Sequence, residues 1–153
     1  MTTIKTFLLD DHRHCDDLFA AVEQALARLD WERAATAFAS LHSAMEQHFV
    51  AEETILFPAF EAKTGMSRGP TEVMRVEHAQ MRELLAAAQQ SLQARDADDY
   101  AGNAETLLIM MQQHNMKEEH VLYPMCDDHL ADQSGALLQR MGNQLKQAVG
   151  YHA

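Results

Sequence analysis

Aromatic residues make up only 7% of this 153-residue chain, and there are only three prolines. The commonest helix breaker is therefore nearly missing. Cysteine is limited to Cys15 and Cys126, without the spacing of a disulfide framework or zinc ribbon. That usage fits a reducing cytoplasm. Basic residues are also few, 12 Lys and Arg against 23 Asp and Glu, for a net charge of −11 with histidine neutral. Such a surface repels DNA and RNA, which excludes nucleic acid as a partner. No run approaches the roughly 20 apolar residues of a membrane span. The opening MTTIKTFLLDDH meets charge too early for a secretory leader. A cytoplasmic protein with no membrane partner is expected, and nothing in the chain identifies a protein partner.

What remains is 47% hydrophobic and rich in Ala, Leu, Gln, Glu and Met, the good helix formers. The length suits one domain that buries its own core, residues 1–153. Apolar positions recur at helical spacing in four long segments. The first, about 3–29, carries Ile4, Leu8, His12, Cys15, Phe19, Val22, Leu26 and Leu29. The second, about 31–57, carries Phe38, Leu41, Met45, His48, Glu52 and Ile55, with Pro58 interrupting or ending it. A turn-rich connection, 61–70, precedes a third helix that starts near Thr71 as N-cap. Its stripe is Met74, His78, Met81, Leu85, Ala88 and Leu92. After the polar turn at 95–98 the fourth stripe is Leu107, Met111, His114, Glu118 and Val121, with Pro124 near the end. Leu137, Met141 and Leu145 line a short closing helix. The fold class is all-α: an up-down antiparallel four-helix bundle with a short additional C-terminal helix.

Two segments are nearly the same. HFVAEETILFP begins at His48, and HNMKEEHVLYP begins 66 residues later at His114. With that shift the halves align without gaps, as two helical hairpins at about 4–60 and 70–126. Asp11-His12 falls on Glu77-His78, and Met45, His48, Glu52, Glu53 and Pro58 fall on Met111, His114, Glu118, Glu119 and Pro124.

Residues four apart share a helix face, so His48 pairs with Glu52 and His114 with Glu118, each on the apolar side. His12 and His78 also interrupt apolar stripes. Six polar groups therefore point into one layer of a small bundle. Without a partner each buried carboxylate costs several kcal/mol or becomes protonated. Together they would oppose most of the ~5–15 kcal/mol that holds a domain together. A metal removes the contradiction, because imidazole and carboxylate are its ligands and the ion supplies the missing charge. Four histidines and two glutamates exceed one ordinary site. Two metals fit, His12 and His48 on one, His78 and His114 on the other, with Glu52 and Glu118 bridging. Room is left for a solvent bridge and an exogenous ligand. Such nitrogen-rich coordination suits iron best, with zinc and manganese as competitors.

The pattern His12, His48, Glu52, repeated as His78, His114, Glu118, resembles the hemerythrin-like, or HHE cation-binding, family over residues 4 to 124. The resemblance implies a four-helix bundle around a non-haem di-iron centre, bridged by carboxylates and an oxo or hydroxo group. It also implies binding or sensing of dioxygen, nitric oxide or peroxide. The alternative it leaves is a di-iron enzyme or stress protein that scavenges peroxide or nitric oxide, or donates iron for iron–sulfur repair. The chain departs from oxygen-carrying hemerythrins. It has Arg82 and Met74 where a second histidine would flank His78, and His-x-x-x-Glu in place of His-x-x-x-x-Asp on the fourth helix. No catalytic residue is assigned, and the protein is read as metal-binding rather than enzymatic.

Around the six, Glu53 and Glu119 are expected to face solvent. Asp11 and Glu77 either accept a hydrogen bond from a ligand imidazole or face solvent. Asp16 and Arg82 are expected on the inner face in an interhelical salt bridge, the alternative for Arg82 being an edge of the ligand pocket that favours an anion. Cys15, Met45 and Met111 read as core, Tyr123 as packed, Cys126 as exposed. His14, His42, His120, His129 and His152 read as surface or structural.

Overall fold

The computed structural model describes residues 1–150; His152 lies outside them. Helix α1 spans Ile4–Ala27 and α2 spans Trp31–Ala51. A π-helical turn, Glu52–Leu56, joins α2 to α3, Phe57–Thr64. Then come α4, Pro70–Gln93, and α5, Ala97–Lys117. A second π turn, Glu118–Leu122, joins α5 to α6, Tyr123–His129. A 3-10 turn, Ala131–Gln133, leads into α7, Ser134–Leu145. The result is an all-α bundle.

Local chemistry explains the helix starts. Thr3 and Thr6 form a capping box, each hydroxyl accepting from the other's backbone N–H at 2.9–3.0 Å. Asp127 of α6 accepts from the N–H groups of Ile4 (2.8 Å) and Lys5 (3.2 Å), so the end of the bundle's last helix caps its first. Asp30 and Asp96, equivalent in the repeat, cap α2 and α5 by accepting from Arg33 and Asp99 N–H. The residue before each is left-handed, Leu29 at φ 51° and Arg95 at φ 53°. Leu29, expected in the first apolar stripe, is thereby turned out to 62% exposure. Thr71 does not cap α4. Gly69 is the N-cap and Pro70 the first helical residue, where a missing N–H is harmless. Thr71 is buried and donates its hydroxyl to Glu61 at 2.7 Å.

Bonds between helices set their directions. Only residues 28–30 join α1 to α2 and 94–96 join α4 to α5, and His48 meets Asp11 as His114 meets Glu77, so each hairpin is antiparallel. Arg82 meets Glu46, and Arg75 meets Glu61, so α4 runs against α2–α3. His12 meets Glu119 and Ile4 meets Asp127, so α1 runs against α5–α6. The ring of neighbours is α1, α2–α3, α4, α5–α6. Along α7, Leu137, Met141 and Leu145 are buried against α2 and the π turn after it.

Of the two expectations for Pro58, interrupting or ending the second segment, the structure shows an interruption, and Pro124 likewise lies within a segment that continues. In an unbroken α-helix Pro58 would leave the Thr54 carbonyl without a donor and press its ring on it. The π turns absorb this. Phe57 N–H reaches back to the Glu52 carbonyl, and Tyr123 N–H to the Glu118 carbonyl. The helix continues to Thr64, where Gly65 closes it at φ 73°. Each π turn inserts one residue into the helical phase. The apolar stripe therefore passes from Glu118 to Leu122, Tyr123 and Cys126, all buried, while Val121, expected inside, is 54% exposed. Cys126, expected outside, is buried for the same reason.

Two apolar clusters result. One includes Phe19, Phe38, Leu41, Leu85 and Leu107; the other includes Leu8, Phe57, Leu122 and the inner face of α7. On every long helix the buried histidine lies at the junction between them.

Candidate metal centre

His12 on α1, His48 on α2, His78 on α4 and His114 on α5 are each no more than 5% exposed. Glu52 and Glu118, at the first position of the two π turns, are fully buried. The structure thus brings all six candidates into one layer. His12 and His48 lie 4.8 Å apart between ring centroids, and His78 and His114 lie 5.0 Å apart.

Each imidazole is oriented by a carboxylate on its Nδ1. His48 bonds Asp11 (2.6 Å) and His114 bonds Glu77 (2.8 Å). His12 bonds Glu119 (2.7 Å) and His78 bonds Glu53 (2.9 Å). Asp11 and Glu77, left open in the sequence, face the site. Glu53 and Glu119, expected in solvent, do too, each reaching from its π turn to a histidine on the neighbouring helix. The signal for them was their presence in both copies of the repeat. With Nδ1 engaged, all four Nε2 atoms point inward.

The inward atoms crowd without satisfying one another. His78 Nε2 lies 3.0 Å from Glu52 Oε1, and His114 Nε2 lies 3.2 Å from Glu118 Oε1. Yet Glu52 Oε1, His78 Nε2, His114 Nε2 and Glu118 Oε2 are buried and make no hydrogen bond of acceptable geometry. Buried polar atoms are almost always paired. Donor atoms of Glu52, His78, His114 and Glu118 lie within 4.8 Å of one another, as do those of His12, His48 and Glu118. Glu118 belongs to both groups. Glu52 belongs to the first, and its other oxygen is 3.5 Å from His48 Nε2.

The electrostatics point the same way. Burial disfavours protonation of His114, but the charge of Glu118 outweighs it and pushes the imidazole up to about 9. His48 is likewise raised well above its ordinary value, burial being overcome chiefly by Glu52. Glu53 would be raised by burial, but its bonds to His78 and Arg82 bring it down to about 2. Glu52 and Glu118 thus demand positive charge in this layer, and without a metal protons on the imidazoles provide it.

A family model, the hemerythrin HHE cation-binding domain, matches residues 3–126. The chain belongs to that family. Comparison with curated proteins and with solved structures gave no match. The hemerythrin domain carries a buried His/Glu cluster compatible with metal binding, and none of its described helices is long and apolar enough to cross a membrane.

Other expectations divide. A cavity of about 20 Å³ adjoins His12, His48 and His114 and is also lined by Cys15, Met45, Phe49, Met81 and Met111. Cys15, Met45 and Met111 are core, as expected. Arg82 does make interhelical ion pairs, with Glu46 and Glu53 at 2.8–3.1 Å, over the ring of Phe49. It does not border the cavity, and two carboxylates already compensate its charge. Asp16 is exposed and stands outside that network. Tyr123 is packed, but its hydroxyl enters the layer, 2.5 Å from Glu52 Oε2 and 2.9 Å from Glu118 Oε1. Burial, then the charges of Glu118 and Glu52, hold the metal-free phenol protonated well above its ordinary range.

Proposed function

We propose that this hemerythrin domain binds two iron ions and uses them to bind or sense dioxygen, nitric oxide or peroxide. In this reading the chain is one domain, and its two hairpins supply like halves of the centre. His12 and His48 hold one ion, His78 and His114 the other, and Glu52 and Glu118 bridge them. The observation that carries it is the set of four buried donor atoms without hydrogen bonds, set among imidazoles already oriented by carboxylates. Nitrogen-rich ligation with two anionic bridges favours iron over magnesium or calcium, which prefer all-oxygen sites. When bound, a di-iron pair supplies open coordination positions and electrons for a small oxidant. The chain's own part is to hold four imidazoles with Nε2 forward and to keep water scarce. The adjoining cavity has room for about one water-sized molecule, which suits a diatomic ligand or peroxide and excludes an organic substrate.

The test is the metal content of protein purified without added metal, with optical spectra of the reduced form before and after air. Two irons per chain, with charge-transfer bands that appear in air and reverse when oxygen is removed, are expected of a binder. Irreversible oxidation, or continued turnover of peroxide or nitric oxide, would place the protein among di-iron scavengers. Failure to take up iron would overturn the reading.

A further inference from the structure

We propose that Tyr123 is a seventh protein ligand, binding through its phenol oxygen the metal held by His12 and His48; this rests on the metal reading above. The phenol oxygen lies 2.5 Å from Glu52 Oε2, 2.9 Å from Glu118 Oε1, 3.2 Å from His12 Nε2 and 3.4 Å from His48 Nε2. In that reading these four residues belong to one metal position, and a single oxygen touches all of them.

Proton counting shows why this differs from ordinary packing. Once a metal has displaced the extra protons, the Nδ1 hydrogens of both histidines stay directed at their carboxylates and Nε2 is an acceptor, that of His12 lying 3.1 Å from Glu118 Oε1. Carboxylate oxygens are acceptors as well. With the imidazoles neutral, the two Nε2 atoms, the two carboxylate oxygens and the phenol oxygen itself make five acceptors that share one phenolic hydrogen. A cation at the convergence satisfies all five. Coordination exchanges that hydrogen for the metal, the proton leaves to solvent, and a hard anionic oxygen suited to iron(III) results.

The repeat supplies the internal control. Phe57 is the counterpart of Tyr123. Its ring stacks on His78 at 5.8 Å and 20°, while Tyr123 stacks on His12 at 5.6 Å and 29°. Ring packing is thus the same in both halves and needs no hydroxyl. The hydroxyl makes the two metal positions unequal: five protein donors at His12/His48, four at His78/His114. An exogenous ligand then has more open coordination at His78/His114, and it reaches that position from the cavity on the His114 side.

The experiment loads apoprotein with ferrous iron, oxidises it in air, and records the visible spectrum, resonance Raman spectrum and iron content. With two irons per chain, a phenolate-to-iron charge-transfer band with enhanced tyrosinate ring modes is expected. It should vanish in Y123F and persist in Y100F. Ring-deuterated tyrosine should shift those modes in the wild-type protein, a readout that does not depend on any variant folding. Two bound irons without tyrosinate modes, or modes unchanged in Y123F, would overturn this inference and leave the di-iron reading standing. No bound iron would overturn both.

Discussion

A histidine offers two nitrogens, and this site uses both. The carboxylate on Nδ1 fixes the tautomer and the ring angle, and it makes Nε2 the better donor. The arrangement is reciprocal: Asp11 and Glu77 orient histidines on the partner helix of the same hairpin, while Glu119 and Glu53 orient those of the other hairpin. Loss of such a partner typically weakens metal binding about 10–100-fold. Asp11→Ala is therefore expected to lower the affinity of the His48 position by that factor in a competition titration with a chelator, with the helical content unchanged. An unchanged affinity would show that the 2.6 Å contact only packs. The acidic neighbours were visible in the sequence, but whether each faced solvent or a ring depended on which helices meet.

At the scale of the helix, the π turns decide what the centre contains. They begin at the two buried glutamates and shift the following residues by one position of phase. That shift explains how a proline is carried within a continuing helix and why Leu122 and Tyr123 face inward where Val121 was expected. Inserting one alanine after exposed His120 should turn the following residues by a further step of about 100° and swing Tyr123 and Cys126 off the core. Displacing even one large core side chain costs about 2–5 kcal/mol. The insertion is expected to lower stability in urea by at least that amount and to abolish metal uptake. Retained stability would mean that the π turn is not needed for packing. Sequence periodicity missed this because an α-helical template contains no extra residue. The Leu-aromatic-Pro ending of both copies was the one available clue.

Over the whole molecule, an acidic protein also buries an acidic layer, whose carboxylates call for protons or a cation beside them. In the metal-free protein, His114 is raised from 6.5 to about 9, burial being outweighed by Glu118. A group whose folded value is raised contributes stability fully below its unfolded value and loses it as pH rises through the folded one. Metal-free protein is therefore expected to lose thermal stability between pH 6.5 and about 9. Iron-loaded protein should not, because its imidazoles are held neutral by metal rather than by protons. Equal pH profiles for the two forms would contradict the assignment of His114.

Helix formers, scarce breakers and four apolar stripes were enough for the all-α bundle, because periodicity of 3.6 dictates which face is buried. The gapless repeat was enough to bring His12, His48, Glu52, His78, His114 and Glu118 forward as a set, because polar residues in apolar stripes need a shared reason. The rest needed tertiary structure. Which carboxylate meets which imidazole, where Arg82 spends its charge, and how far each helix runs past its proline all depend on contacts between helices. The hydroxyl of Tyr123 is the sharpest case. The sequence reads the side chain as packed, and only the π turn, held by packing on both sides, brings its hydroxyl to the centre.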